Sequence, residues 1–198
     1  MFQDGTIFPA RVVKKQPPMY GIINKAMEDL VNNQFGAPVW KAAKMKSGVD
    51  IDFFISNEAY DDEISFRLAA AVASEVNWSV EEVLRAFGEW WILKTSKEKY
   101  GGLIEAGGRH LQEFLMNLPQ FHNRIMLIYP KLTPPEFKVT DISSNSICIH
   151  YHSRRTGLQE FVRGLLSGLA KMYKTDAVIE LIHSSDNNNT HEIFKISW

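Results

Sequence analysis

Apolar residues along this chain recur first at helical and then at strand spacing. From Tyr20, the positions Ile23, Met27, Leu30 and Val31 predict a helix, and Gly36 with Pro38 ends it where a helix cannot continue. A short second helix is expected from Val39 to about Lys46, closed by Ser47-Gly48, and Ile51 to Ser56 is too short and mixed to assign. Asp61 and Asp62 open a third helix through Ala73, with Phe66, Leu68, Ala69 and Val72 as its buried side. Ser79 followed by Glu82 reads as a capping box, which starts a helix carrying Val83, Leu84, Phe87 and Trp91 on one face. Gly101-Gly102 and Gly107-Gly108 are expected to break the next stretch. A helix with Leu111, Phe114, Leu115 and Leu118 follows, and Pro119 starts another running to about Tyr129.

After Thr133-Pro134-Pro135 the period changes to two. Phe137, Val139, Ile147, Ile149 and Tyr151 alternate with polar neighbours as strands do. Gly157 then introduces a helix with Leu158, Phe161, Val162, Leu165 and Leu169 on one side. Val178 to His183 and Glu192 to Trp198 form a last strand pair around the polar run Ser184 to Thr190. Many helices followed by antiparallel strands with one helix between them predict an α+β fold, a mainly helical N-terminal half packed on a C-terminal antiparallel sheet. One domain is expected over residues 19–198, and residues 1–18 read as an N-terminal extension of no assigned role.

Composition narrows the function. The 198 residues are 45% hydrophobic and 23% charged, as in ordinary globular proteins, and a formal net charge of -1 gives no electrostatic footprint for nucleic acid or an acidic membrane. No apolar run reaches the roughly 18 residues of a membrane span, and Met1 to Pro18 lacks the apolar centre of a signal peptide. A single cysteine, Cys148, cannot form an intramolecular disulfide, so a cytoplasmic location is expected. In a strand core that thiol reads as a small apolar filler.

Six histidines remain as candidate chemistry: His110, His122, His150, His152, His183 and His191. Of these, His122 shares an apolar helix face with Leu118, Ile125 and Tyr129, where an imidazole needs a partner to offset desolvation. A carbonyl neighbour satisfies such a histidine more often than a metal does, and both readings stand on this pattern alone. Tyr151, Ser153 and Arg155 lie two apart at a strand end, about 6 to 7 Å between successive residues. A phenol, a hydroxyl and a guanidinium on one side suit a ligand with paired carboxylates, and a solvated strand end with a surface ion pair is the bland alternative.

Five segments together are more specific than any one of them. Met19-Tyr20-Gly21-Ile22-Ile23-Asn24, Phe87-Gly88-Glu89-Trp90-Trp91, Glu113-Phe114-Leu115 leading to His122, Thr133-Pro134-Pro135, and the Tyr151, Ser153, Arg155 trio resemble the H-NOX family. These haem nitric oxide and oxygen binding domains include the sensor region of soluble guanylate cyclase, and the resemblance runs from Met19 to the C-terminus. It implies haem b buried between the two halves, with His122 as the proximal iron ligand and Tyr151, Ser153 and Arg155 holding the propionates. It further implies that Pro135 presses on the porphyrin and that Ile23 and Leu165 pack against the ring. Two departures stand out: the extension before Met19, and Pro119 at a position commonly acidic in relatives.

Distal hydrogen-bond donors decide whether such a haem keeps oxygen. In oxygen-binding relatives a tyrosine supplies the donor; aligning Gly164 with the family glycine places Phe161 there, and no tyrosine occurs from Thr156 to Met172. The expectation is a sensor that binds nitric oxide and carbon monoxide without stable oxygen binding, in which nitric oxide drives release of His122. The alternative is an oxygen-binding sensor using the Trp91 indole NH as donor. An enzyme is not expected, because Ile23, Trp91, Phe161 and Leu165 offer neither an acid-base group nor a thiolate. A haem-free carboxylate-binding module would use the same trio and pocket, with His122 arguing against it. With no residues left for a cyclase or kinase domain, resemblance to bacterial single-domain members implies a histidine kinase or a cyclic-di-GMP enzyme as a separate partner.

Overall fold

The architecture is that of a computed structural model describing residues 19–129, 132–185 and 190–198. The extension assigned to residues 1–18 and the centre of the loop between the last two strands lie outside the described residues. A two-residue strand β1 (Met19–Tyr20) pairs with β2 (Ala59–Tyr60), bracketing helices α1 (Gly21–Gln34) and α2 (Ala37–Ser47). Pro38 sits in the first turn of α2 and Gly48 closes it in the left-handed conformation at φ 63°, where a side chain would be strained. Helix α3 (Asp62–Val76) starts at Asp61, whose carboxylate accepts from the Glu63 amide at 3.2 Å. Helix α4 (Val80–Trp90) carries the expected capping box: the Glu82 amide donates to Ser79 Oγ at 3.1 Å, and the Ser79 amide donates to Glu82 Oε2 at 2.7 Å.

Beyond α4 the structure departs from the simple periodicity. Trp91–Ser96 forms one turn of π-helix, leading directly into α5 (Lys97–Glu105). The expected break at Gly101-Gly102 is therefore corrected: helix continues through both glycines, and the irregularity falls at Tyr100, with φ -131°. Gly107-Gly108 does end that run, and α6 (Leu111–Met116) and α7 (Leu118–Ile128) follow, with Pro119 in the first turn of α7. His110 is the N-cap of α6, its Nδ1 accepting from the Glu113 amide at 3.3 Å.

The sheet has strand order β3-β4-β6-β5, all antiparallel, from β3 (Glu136–Thr140), β4 (Ser146–Ser153), β5 (Val178–Ser185) and β6 (Thr190–Ser197). Helix α8 (Gln159–Met172) is inserted between β4 and β5. Two cores result. One is helical, around Met27, Leu30, Val31, Leu68, Val72 and Phe87; the other joins the sheet to α6 and α8 around Phe114, Leu115, Ile147, Ile149, Phe194 and Ile196. Each such fully buried side chain contributes about 1.5 to 3 kcal/mol of transfer free energy.

Helices α4 and α8 join the halves at close range. A Cβ on Gly88 would lie 2.2 Å from the Phe161 carbonyl oxygen, and one on Gly164 would lie 2.1 Å from that of Arg85, so backbone meets backbone where both residues lack side chains. Arg85 with Glu160 and Lys171 with Glu89 bridge the same two helices at 2.5 and 2.6 Å. Phe66, expected on the buried side of α3, is half-buried on the wall of the cavity that opens between the halves. No helix among the described residues is long and apolar enough to cross a membrane.

Candidate functional site

The cavity has a volume of about 230 Å³, and its wall is almost wholly apolar. Three groups of residues build it. Helix α7 supplies Phe121, His122, Ile125 and Tyr129 just beyond its end; α4, the π-turn that follows it and α8 supply Leu84, Phe87, Trp91, Phe161 and Leu165; the strand side supplies Pro135, Phe137, Tyr151 and Arg155, with Ile23 from α1. The 3.6-residue period of α7 is what turns His122 and Ile125 to one side. The 2-residue period of β4 turns Tyr151 and Ser153 inward while His150 and His152 face the other way.

His122 is the polar exception on its helix face. Its Nδ1 lies 3.0 Å from the Leu118 carbonyl, so Nδ1–H donates there and Nε2 carries the lone pair. The ring opens on the cavity and keeps some accessible surface, yet protein packs around it and this burial lowers its pKa, with the Leu118 bond opposing more weakly. The imidazole is therefore neutral at pH 7. Phe137 lies 4.7 Å from it, centroid to centroid, and fixes its tilt.

Arg155 is buried, 9% exposed, and so is Asp62, 3% exposed. Arg155 Nε donates to Asp62 Oδ2 at 2.6 Å and Nη2 to Oδ1 at 3.5 Å, while Nη1 reaches the Thr133 carbonyl at 3.4 Å. This ion pair ties the start of α3 to the end of β4. Ser153 does not line the cavity; its Oγ accepts from the Arg155 amide at 3.0 Å. Burial pushes the Tyr151 phenol above its ordinary pKa, so it stays a donor.

The remaining expected residues, Ile23, Trp91, Pro135, Phe161 and Leu165, all border the same space. Phe161 packs on Phe87 at 5.2 Å and Trp91 meets Phe87 edge-on at 6.3 Å, forming an aromatic wall on α4 and α8. Sequence reasoning missed two features. Asp62 read only as a helix opener, although Asp61 alone supplies the cap, and that surplus acid was the available signal. Tyr100 and Tyr129, both on the cavity wall, share a hydrogen bond of 2.7 Å that joins α5 to the end of α7; burial is the first cause of the raised Tyr100 pKa.

Comparison with known proteins agrees with this architecture. Soluble guanylate cyclase gcy-31 of Caenorhabditis elegans is 27% identical over 182 residues, covering 91% of this chain and 26% of that protein. The rat guanylate cyclase soluble subunit beta-2 is 28% identical over 108 residues, covering 54% of this chain and 16% of its own length. The chain thus spans about a quarter or less of these curated relatives. Among solved structures, an oxygen-binding H-NOX domain related to soluble guanylate cyclases superposes with a TM-score of 0.77 at 23% identity, covering 90% of this chain and 94% of that one. A variant of the Fe(II) unliganded H-NOX protein from K. algicida gives 0.80 at 24% identity, covering 90% and 96%. At these identities the structural likeness speaks for the fold. The family model described as Haem-NO-binding matches residues 20–181, and the chain therefore belongs to that family, the haem-based gas-sensing H-NOX domains related to soluble guanylate cyclase.

Proposed function

We propose that residues 19–198 form one sensing domain that holds haem b in the central cavity and takes nitric oxide and carbon monoxide without holding oxygen stably. His122 is the observation that carries this. It is a neutral imidazole on the wall of an apolar cavity, with Nδ1–H already given to the Leu118 carbonyl and Nε2 left as the lone-pair atom, the state a metal-ligating histidine requires. The donor set fits the group. Tyr151, Ser153 and Arg155 lie at the end of β4 as the residues to hold the propionates, Tyr151 and Arg155 on the cavity wall and Ser153 behind Arg155, with Asp62 setting the orientation of the guanidinium. Pro135, Ile23 and Leu165 are the residues to press on the ring. With one cysteine in the chain there is no pair for covalent attachment, which favours haem b.

When bound, haem would supply an iron centre able to take up a diatomic gas, with His122 as the residue that would hold it. The chain's own residues set selectivity and transmit the change. Phe87, Phe161 and Leu165 donate no hydrogen bond from the α4 and α8 wall, which weakens any hold on oxygen. Trp91 on that wall carries an indole NH, and this observation favours the second reading, an oxygen-binding sensor. His122 lies on α7 and would tie that helix to the group; without that tie α7 is held by the Tyr100 to Tyr129 bond and by its apolar face. The same helix carries the exposed Leu127 and Ile128. The proposed output is a cytoplasmic histidine kinase or cyclic-di-GMP enzyme that prefers one position of α7, since a shift signals only to a partner with such a preference. The catalysis named for the relatives belongs to whole proteins of which this chain matches a part.

Visible absorption of the purified, reduced chain tests this reading. The expected result is a five-coordinate ferrous haem spectrum that changes with nitric oxide and not with air; a stable oxygen complex would overturn the selectivity, and a colourless protein that takes up no hemin would overturn the haem reading. His122→Gly should lose the iron link and regain it with added imidazole, whereas unchanged ligation in that variant would place the ligand elsewhere.

A further inference from the structure

The outer face of the sheet carries a second group of imidazoles that the gas-sensing site does not use. His150 and His152 alternate with Tyr151 and Ser153 on β4, and so face away from the cavity. His191 on β6 is the direct cross-strand partner of His152. The His150 Nδ1 lies 3.0 Å from His191 Nε2, and the His152 and His191 rings stack at 4.1 Å with 10° between planes. One ring nitrogen from each of the three falls within 4.8 Å of the others, and all three residues are half-buried.

A second observation fixes which nitrogen of His150 faces the group. The Thr140 hydroxyl donates to Asp141 Oδ2 at 3.0 Å, so its oxygen accepts from His150 Nε2–H at 2.8 Å. That leaves the lone pair of His150 on Nδ1, aimed at His191. A histidine whose far N–H is committed, through a hydroxyl, to a carboxylate is in the state found in metal-ligating imidazoles, where the outer partner sets the tautomer and raises the basicity of the ligand nitrogen. Nitrogens at about 2.0 to 2.1 Å from a tetrahedral zinc ion lie roughly 3.3 Å apart, between the 3.0 and 4.8 Å seen across this group. The carboxylate of Glu136, the register partner of His152, lies 3.5 Å from the Lys138 ammonium and offsets that charge.

We propose that His150, His152 and His191 form a binding site for a divalent first-row transition ion of the zinc class, with Thr140 as the positioning residue behind His150 and water completing the coordination. Imidazole sets of this kind take zinc, copper and nickel and reject the hard ions that prefer oxygen. The site is independent of the cavity, being on the opposite sheet face, and does not rest on the haem reading.

The test uses the full chain without a polyhistidine tag, titrated with Zn²⁺ in competition with a chromophoric chelator, with bound metal counted by mass spectrometry. One zinc per chain is expected. His152→Ala combined with His191→Ala should abolish uptake, Thr140→Val should weaken it roughly 10-fold while leaving all three imidazoles in place, and His110→Ala on α6 should leave it unchanged. Far-UV circular dichroism establishes that each variant is folded, and Thr140→Val carries the test should the double variant not fold. Wild-type protein that retains no zinc, or zinc uptake equal in wild type, the double variant and Thr140→Val, would overturn the proposal.

Discussion

The helical half and the sheet half solve the packing problem differently. In the first, small residues such as Ala26, Ala43, Ala69 and Ala73 let helices approach closely, with Met27 and Leu68 filling the gaps. In the second, branched and aromatic residues on β4 and β6, among them Ile147, Ile149, Phe194 and Ile196, fill the space between sheet and helix. The two cores share a boundary, with Phe161 of α8 packed on the helical core and Ile92 and Ile104 buried in the sheet-side core, and the cavity lies at that boundary. The join is made by a glycine-to-glycine crossing of α4 on α8 and by the buried Asp62 to Arg155 pair.

Three substitutions sharpen that contrast. Asp62→Asn has the largest expected effect, because it leaves the buried Arg155 charge uncompensated: about 3 to 5 kcal/mol in urea unfolding of the haem-free chain. If Arg155 also holds a propionate, haem loading should recover part of that loss, and an equal loss with and without haem would assign Arg155 to the fold alone. Gly88→Ala comes next, at about 1 to 3 kcal/mol, because the added methyl meets the Phe161 backbone and must push α8 away. Its haem spectrum should shift as the aromatic wall moves; an unchanged melting temperature would deny the close crossing. Tyr129→Phe is the mildest, at about 1 kcal/mol, removing the phenol partner of Tyr100. Faster hydrogen exchange confined to α7 is the expected signature, and exchange raised equally in α3 would show that the Asp62 to Arg155 pair does not hold α3 independently of α7.

Much of this fold is written in local pattern. The capping box at Ser79, the stop at Gly48, Pro119 at the start of α7 and the alternation of β4 all act over a few residues and were legible for that reason. The π-turn at Trp91–Ser96 was not, since its extra residue per turn throws the 3.6-residue period out of step. Helix through Gly101-Gly102 runs against propensity by about 1 kcal/mol per glycine, and the burial of Ile104 on the same helix favours it. The site divides in the same way. His122 stood out because one helix face sets its environment, whereas Asp62 meets Arg155 across 93 positions and His150 meets His191 across 41, separations at which no local period operates.

The contact of Gly88 with Gly164 has a mechanical consequence. Two backbones that touch with no side chains between them have no soft material to compress or slide, so the crossing acts as a fulcrum. A rocking of the halves about that point would leave the crossing in place and displace each residue in proportion to its distance from it.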